Sequence, residues 1–216
     1  MGEGPLEQLQ DRLSKAGMWD TQLESELAAL WKYGVLRIQD ERLREVVARF
    51  LCIVPRIFFI DHASRSGRFH PSWQNGRHGT LRSIVESCVI LPAMARHIPQ
   101  ILDNEMNPST RAVDVALAAT IISDVWKKED EGDVHHGAEH GRVAAEHWRR
   151  FAAEQGLDPE RIEAVYDGCF WHFGLYTPEW KRGTVLTPIA QLVNNCDVST
   201  SLSELDLIYT GKPVIL

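Results

Sequence analysis

Four side chains of the kinds that bind divalent metal ions lie far apart in the sequence, each near the end of a predicted helix. They are Asp124, His140, His172 and Asp197. Histidine nitrogens and carboxylate oxygens hold ions such as Mn(II), Fe(II), Co(II), Zn(II) or Mg(II). Because helical bundles build interior sites from side chains on facing helices, the pattern predicts that the four residues meet at one ion. Such an ion lowers the pKa of a bound water and promotes hydrolysis of phosphate esters.

Each of these residues also has an explanation that needs no metal. Asp124 can end its helix and face solvent, and Asp197 can lie on an exposed edge of the bundle. His172, between two aromatic residues, can be a core histidine with satisfied hydrogen bonds. His140 lies one helical turn after His136, so this pair could chelate an ion by itself. A buried carboxylate at position 197 would need a cation or several donors.

Hydrophobic periodicity predicts the helices that must position these residues. Apolar side chains recur every three or four positions in residues 23–31, 43–51 and 81–88. Between positions 112 and 122 nearly every residue is apolar or small, which indicates a helix buried on most sides. Asp124 follows the end of that helix. No sustained alternation of apolar and polar residues is present, so the fold class is predicted to be all-α.

Local signals mark where several of these helices begin and end. Asp20 or Thr21 is placed to cap one helix. Asp158 and Thr187 each precede a proline, the arrangement typical of a capped helix start. Pro92, inside a periodic stretch, is expected to kink or divide its helix because proline has no amide hydrogen to donate.

Length and composition bound the organisation of the chain. With 216 residues and 44% apolar content, we expect one domain with an N-terminal helical extension over residues 1–40, a helical domain over 41–205 and a tail over 206–216. No apolar run approaches the roughly 18 residues of a membrane span, and the N-terminus is acidic rather than signal-like. The four cysteines lack metal-ribbon spacing and favour a reducing compartment. We therefore expect a cytoplasmic protein without a membrane partner.

The charge balance argues against one class of partner and favours another. A net charge of −7 disfavours binding to duplex nucleic acid, which depends on neutralising phosphates with Lys and Arg. Locally, Arg65, Arg68 and Arg82 cluster, and Lys127 follows the candidate ligand Asp124. These cations predict a site for a small phosphorylated ligand such as a nucleotide. The composition is also compatible with an oligomer.

Several strings of residues carry a family resemblance. They are Phe-Ile-Asp-His-Ala-Ser-Arg-Ser-Gly-Arg-Phe-His-Pro-Ser-Trp at 59–73, Gly-Thr-Leu-Arg-Ser at 79–83, Ile-Ser-Asp-Val-Trp-Lys at 122–127, Glu-His-Gly at 139–141, Trp-His-Phe-Gly at 171–174 and Cys-Asp at 196–197. Over about residues 42–203 the set resembles a bacterial and phage branch of the HD superfamily of metal-dependent phosphohydrolases. Relatives carry Ala-Ser-Ser-Ser-Gly-Lys-Tyr-His-Pro and a tryptophan where the first string lies. The resemblance implies an HD-domain-like helical bundle.

The resemblance also implies which residues bind metal, and two of them are changed. Relatives with one ion use a first histidine, a His-Asp pair and a final aspartate. Ser83 and Ser123 stand in place of the two histidines, so only Asp124 and Asp197 of that set remain. In relatives with two ions, the second ion takes the paired aspartate and two further histidines, which here are Asp124, His140 and His172.

Two functions follow from the resemblance, together with a structural alternative. The first is a phosphohydrolase in which Asp124 and Lys127 are catalytic, Asp197 assists, and Lys127 with the nearby arginines binds phosphate. The second is a catalytically silent relative that senses a nucleotide or contacts a partner protein, and the third is a purely structural subunit. Histidines from loops are candidates to replace the lost ligands: His70, His78, His135 and His136.

Overall fold

The helix that leads to Asp124 runs through the centre of the protein. A computed structural model describes residues 4–63, 70–102, 110–130, 133 and 136–201. Every residue from 114 to 127 is buried, as the apolar composition of this stretch predicts. This helix packs against helices that come before and after it in the chain. Its end therefore reaches the interior of the molecule rather than the solvent.

Eight α-helices make up the described part of the chain, and no β-strand occurs there, which confirms the all-α prediction. Short 3-10 turns join several of them. The helices are α1 (Pro5–Lys15), α2 (Thr21–Tyr33), α3 (Glu41–Leu51), α4 (Gly79–Ala95), α5 (Thr110–Ile122), α6 (His140–Glu154), α7 (Pro159–Trp171) and α8 (Pro188–Thr200).

The predicted caps are present at three helix starts. Asp20 caps α2, because its Oδ1 accepts a hydrogen bond from the amide of Leu23 at 2.7 Å. Asp158 Oδ1 accepts from the third residue of α7, and Thr187 Oγ1 accepts from Ala190 in α8. Each cap satisfies an amide that the first turn of a helix leaves without a partner. The sequence therefore located these boundaries to within one residue.

One hydrophobic core extends through the described helices. α1 and α2 contribute Leu9, Leu13, Leu23 and Leu27 to it, all fully buried, and α8 contributes Cys196. α5 contacts α4, α7 and α8, while α6 packs along α7. The tail assigned to residues 206–216 lies outside the described residues. Within the described part, no helix is both long enough and apolar enough to span a bilayer.

The expectation that Pro92 divides its helix is wrong, because α4 continues through it to Ala95, and a kink at Pro92 stays a prediction. A proline at this position cannot donate to the carbonyl of Cys88, four residues earlier. Arg37 Nη1 lies 3.5 Å from that carbonyl and partly replaces the missing donor. Tertiary contacts of a long, mostly buried helix thus outweigh the local preference of proline.

Replacing Pro92 by alanine is expected to raise the free energy of unfolding by about 1–2 kcal/mol, because alanine restores a helical hydrogen bond and is favoured in helix interiors. Urea denaturation followed by circular dichroism measures this difference. Pro99→Ala is the matched control. Pro99 opens an exposed 3-10 turn, where proline is well placed, so its replacement should lower stability by about 0.5 kcal/mol. Equal destabilisation by both variants would contradict the explanation.

Candidate metal centre

Asp124 lies in a turn that directly follows α5. The amide of Val125 donates to the carbonyl of Ile122 at 3.2 Å, so the chain turns where the helix ends. Asp124 is only 5% exposed. Its neighbour Ser123 donates its hydroxyl back to the carbonyl of Thr120 at 3.1 Å. The buried course of α5 thus carries a carboxylate into the core.

His140 lies at the N-terminal end of α6 and His172 at the C-terminal end of α7. The two side chains meet because these helices pack closely. His140 is the first residue of α6, and His172 follows the last residue of α7. Gly141 makes this close packing feasible, since a Cβ at this position would lie 2.6 Å from two atoms of the His172 ring. Gly168 similarly lets α7 approach α5, where a Cβ would lie 2.7 Å from the side chain of Ala119. Two glycines therefore set the spacing of the three helices.

Three potential ligand atoms converge at one point. His140 Nε2 lies 2.9 Å from Asp124 Oδ1 and 2.9 Å from His172 Nε2, and His172 Nε2 lies 3.6 Å from the same carboxylate oxygen. All three side chains are at most 6% exposed. Within the described residues, this is the group of histidine, cysteine and acidic side chains whose geometry suits a metal ion.

The outer nitrogen of each imidazole contacts a backbone carbonyl. His140 Nδ1 faces the carbonyl of Gly137, and His172 Nδ1 lies 2.7 Å from the carbonyl of Cys169. A carbonyl only accepts hydrogen bonds, so each Nδ1 must carry a proton. Asn194 also fixes the backbone here, because its Nδ2 donates to the carbonyl of His172 at 2.7 Å. In the neutral imidazoles both Nε2 atoms then present lone pairs, the arrangement that metal-binding histidines use.

Asp124 divides its two oxygens between different partners. Oδ1 faces the imidazoles, while Oδ2 lies 3.1 Å from the ammonium of Lys127. Lys127 is 8% exposed and also donates to the carbonyl of Ala63 at 2.9 Å. A buried ion pair needs such additional hydrogen bonds to offset its lost hydration. Lys127 therefore neutralises one side of the carboxylate and leaves the other side for the histidines.

The pKa shifts of the three residues follow from this geometry. Burial by itself would raise the pKa of Asp124, but Lys127 and the two imidazoles hold it well below its ordinary value. Burial lowers the pKa of His140. Burial also opposes protonation of His172, yet the hydrogen bond and charge of Asp124 outweigh it and raise the pKa of His172. Without metal, His172 is therefore the more readily protonated of the two imidazoles.

The donor set fits a divalent cation. Two ligand atoms that bind one ion at about 2.1 Å lie roughly 3.0–3.4 Å apart when their angle at the ion is near 90–109°. The three separations of 2.9, 2.9 and 3.6 Å scatter about that range. Two imidazoles and one carboxylate suit Fe(II), Mn(II), Co(II) or Zn(II). Asp124, His140 and His172 would hold such an ion, in competition with the proton on His172.

Asp197, the fourth predicted ligand, lies beside this group but is not part of it. It is partly exposed on α8. Burial, followed by the charge of Asp124, raises the pKa of the Asp197 carboxyl to about 6, and His172 and Lys127 only partly offset this. Two carboxylates that repel each other at close range mark a place where a further positive charge is favourable. Asp197 therefore adds negative charge to the site from its edge.

In metal-free protein, Asp197→Asn is expected to be more stable than the wild type by about 1–2 kcal/mol above pH 7. The folded-state pKa of Asp197, about 6, exceeds the ordinary 3.8. Ionisation of this carboxyl therefore costs more in the folded than in the unfolded chain, and it lowers the free energy of unfolding as pH rises through that interval. Because asparagine carries no charge, the advantage should disappear towards pH 4. Urea denaturation at several pH values in the presence of a chelator measures it. An advantage that grows on acidification would contradict the prediction.

Ser83 and Ser123, the serines that the family resemblance aligns with metal-binding histidines, are buried without joining the ligand group. Ser83 is 1% exposed within α4, and Ser123 is 5% exposed with its hydroxyl turned to its own helix. A hydroxyl bound to a helical carbonyl is not directed at an ion. The described site is accordingly suited to one cation rather than two.

Of the three arginines predicted to bind phosphate, only Arg82 belongs to the described residues. Arg82 lies near Glu26 in α2, with Nη1 3.7 Å from its carboxylate, and it donates to the carbonyl of Arg77. This side chain therefore joins α4 to α2 through Glu26. Arg65 and Arg68 lie outside the described residues. Phosphate binding by all three stays a prediction.

Two of the loop histidines lie in other environments. His78 is fully buried in a left-handed conformation with φ of 64°, and its Nδ1 contacts the carbonyl of Phe59 at 2.7 Å. Its Nε2 lies 3.3 Å from the Asp20 carboxylate, so it links the start of α2 to the start of α4. His136 Nε2 lies 3.8 Å from Glu129. Neither imidazole belongs to the ligand group.

The remaining loop histidines are His70 and His135. His135 lies outside the described residues. The charges of Lys127 and Asp124 both act on the His70 imidazole, so His70 lies near the site without being one of its three ligands. Its Nδ1 lies 2.7 Å from Gln74 Oε1.

Sequence reasoning missed the residues that hold the ligands in place. Gly137, Cys169 and Ala63 act through their backbone carbonyls, which no side-chain pattern reveals. Gly141 was visible only as a helical glycine, a residue that disfavours helices and that often marks close packing. That signal would have suggested the contact between α6 and α7.

Comparison with known proteins adds no relative. No family model, curated protein or solved structure matches the chain. Its activity must therefore be inferred from the chemistry of its own residues.

Proposed function

We propose that this chain is a metal-dependent phosphohydrolase of the HD type, which binds one divalent cation through Asp124, His140 and His172 and acts on a nucleotide or another small phosphorylated ligand. The observation that carries the proposal is the convergence of one carboxylate oxygen and two Nε2 atoms whose imidazoles are fixed by backbone carbonyls. Proteins orient metal-binding histidines in this way, with one ring nitrogen directed at the ion and the other donating a hydrogen bond to a carbonyl.

The charge of the site suits an anionic ligand once a cation is bound. Asp124 and Asp197 contribute two negative charges and Lys127 one positive charge, which leaves −1 when both carboxyls are ionised and both imidazoles are neutral. A divalent cation changes this to +1 and attracts phosphoryl oxygens. When bound, the cation supplies Lewis acidity that polarises a phosphoryl oxygen and lowers the pKa of water.

The protein residues have separate roles in this proposal. His140 and His172 orient the site, because their rings cannot rotate without breaking hydrogen bonds to Gly137 and Cys169. Lys127 keeps Asp124 ionised, and its ammonium, 3.1 Å from that carboxylate, is a fixed positive charge for a phosphoryl group. Asp197, with a pKa of about 6, holds a proton in part of the population near neutral pH.

A catalytically silent nucleotide-binding protein is the second candidate. One observation favours it: Oδ2 of Asp124 is paired with Lys127, while Ser83 and Ser123 offer no imidazole for a second ion. Loss of one ion removes a clamp on the attacking or the leaving oxygen of phosphoryl transfer. The two candidates share the cation site and differ in turnover.

Metal analysis combined with a hydrolysis panel tests the proposal. The purified chain is equilibrated with Mn(II), Fe(II), Co(II), Zn(II) or Mg(II), desalted, and assayed for bound metal and for phosphate release from nucleoside mono-, di- and triphosphates. We expect one equivalent of metal and metal-dependent hydrolysis, both lost in Asp124→Ala.

The other outcomes discriminate among the alternatives. One equivalent of metal with nucleotide binding but no turnover would support the silent binding protein. Neither metal nor turnover would contradict both and leave a structural subunit. Asp197→Ala serves as the matched control, because it removes a nearby carboxylate that is not a member of the ligand group and should retain the metal.

A further inference from the structure

A buried glutamine beside the metal centre has a fixed orientation. Gln74 is fully buried, and its Nε2 donates to Glu86 Oε2 at 2.6 Å and to the carbonyl of Thr200 at 3.1 Å. An amide nitrogen has two hydrogens, so both are used. Reversing the amide would place its oxygen against the Thr200 carbonyl, which accepts hydrogen bonds at any pH. The nitrogen of Gln74 must therefore face α4 and α8.

Glu86, whose carboxylate accepts a hydrogen bond from the Gln74 amide, has a fixed orientation as well. Glu86 Oε1 accepts from Trp73 Nε1 at 2.7 Å, so its two oxygens have separate donors. Ser87, the next residue of α4, exchanges a hydrogen bond with the Thr200 hydroxyl at 2.8 Å. These contacts connect α4, α8 and the turn at Ser72–Gln74. The polar network is rigid because each of its buried members has a partner.

The orientation of Gln74 fixes the protonation of His70. Gln74 Oε1, which only accepts, lies 2.7 Å from His70 Nδ1. His70 Nδ1 must therefore carry a proton, and in the neutral imidazole Nε2 presents a lone pair. Among the residues that the structure describes, none forms a hydrogen bond with that Nε2. His70 thus has the same tautomer as His140 and His172.

Backbone contacts connect Gln74, the hydrogen-bond partner of this imidazole, to the metal centre. The amide of Ala63 donates to the carbonyl of Gln74 at 3.2 Å, and the carbonyl of Ala63 accepts from Lys127, which is paired with Asp124. Burial, followed by the positive charge of Lys127, lowers the pKa of His70, although Gln74 and Asp124 oppose this. Burial and Lys127 thus favour the neutral form of this ring, which lies close enough for the charges of Lys127 and Asp124 to act on it.

We propose that His70 is a further residue of this site, held by Glu86 and Gln74 as an Nδ1-protonated imidazole whose Nε2 accepts a hydrogen bond from the phosphorylated ligand. The inference rests on the proposed function for the identity of that ligand. His70 lies outside the group of three ligand atoms, so its Nε2 contacts a proton-bearing group such as P–OH rather than the cation. Gln74 and Glu86 are positioning residues, because they act through His70.

Nitrogen NMR of the whole chain tests the tautomer without any need for activity. Histidine labelled with ¹⁵N is incorporated, and two-bond proton–nitrogen correlations are recorded without metal at pH 7.5. The His70 signals are assigned by their absence in His70→Asn. We expect Nδ1 protonated and Nε2 unprotonated, and in Gln74→Met a signal averaged between tautomers while those of His140 and His172 stay unchanged. A His70 ring that is protonated on Nε2 in the wild type would overturn the inference.

A second measurement tests contact with the ligand. Inorganic phosphate is titrated into the Zn(II)-treated protein while the His70 Nε2 resonance is followed. We expect this resonance to shift and the dissociation constant of phosphate to rise about tenfold in His70→Asn, the effect of one lost hydrogen bond. His147→Asn is the control, because His147 stacks on Trp126 with ring centroids 4.1 Å apart and should leave phosphate binding unchanged.

The two proposals fail in different ways. Absence of bound Zn(II) by elemental analysis would contradict the proposed function, whatever the tautomer of His70. Bound Zn(II) with a His70 signal that phosphate leaves unchanged would overturn the role of His70 and leave the metal centre standing. The decisive readouts use the wild type and His70→Asn, so they do not depend on the folding of Gln74→Met.

Discussion

Replacing Asp124 by asparagine is expected to weaken metal binding by about 100-fold or more and to lower the free energy of unfolding by about 3–5 kcal/mol. Loss of an outer partner of a metal ligand already costs 10–100-fold in affinity, and loss of a ligand costs at least as much. The stability effect has another cause, because a neutral amide leaves the buried ammonium of Lys127 without its counter-ion. Metal titration and urea denaturation in a chelator measure the two effects separately.

A double variant separates the two causes. Asp124→Asn combined with Lys127→Met removes the uncompensated charge and keeps an aliphatic chain of similar length, so it should recover most of the lost stability. Metal binding should stay lost. If the double variant is as unstable as the single one, the pairing with Lys127 is not what Asp124 contributes to stability. If Asp124→Asn binds metal like the wild type, the proposed centre is wrong.

Adding a single methyl group at Gly141 should disturb the same site by displacing the ring of His172. In Gly141→Ala the Cβ would meet His172 Cε1 and Nδ1 at 2.6 Å and the Cys169 carbonyl at 2.8 Å. Two of these atoms, His172 Nδ1 and the Cys169 carbonyl oxygen, form the hydrogen bond that orients His172. We expect a 10–100-fold loss of metal affinity and about 1–3 kcal/mol lower stability, although alanine is the better helix former by about 1 kcal/mol.

Gly76→Ala is the matched control for this experiment. A Cβ at Gly76 would have its nearest neighbour, Arg82 Nη2, at 3.7 Å, which is an ordinary contact. This variant should bind metal like the wild type and differ in stability by at most about 0.5 kcal/mol. A Gly141→Ala protein with unchanged metal affinity would show that α6 can move without displacing His172.

These expectations describe a site in which a few backbone groups control the chemistry. The carbonyls of Gly137 and Cys169 set the tautomers of two ligands, and the carbonyl of Ala63 keeps Lys127 against Asp124. Because the donors are fixed before a cation arrives, little conformational entropy is lost on binding. The same preorganisation would serve a hydrolase and a nucleotide sensor, which is why turnover, and not metal content, distinguishes the two proposals.

The sequence determined the helical class, the buried character of α5 and the capped starts of α2, α7 and α8. These features depend on neighbours within one or two helical turns, and their signals are therefore local. The sequence also indicated Asp124, His140, His172 and Asp197 as a group, since residues of metal-binding type stood near the ends of separate predicted helices, and three of these four meet in the structure. The predicted division at Pro92 was wrong because it considered only local sequence, whereas the contacts that keep α4 continuous come from distant parts of the chain.

Only the tertiary structure decided which side chains meet. The sequence predicted Asp197 as a metal ligand, Arg82 as a phosphate-binding residue and His78 as a candidate to replace a missing ligand. In the structure Asp197 lies at the edge of the site, His78 pairs with Asp20, and Arg82 contacts Glu26. The distance between side chains on different helices depends on how closely the helices pack, and that spacing is set here by Gly141 and Gly168. A change of one ångström in such packing makes or breaks a ligand set, and no local pattern encodes it.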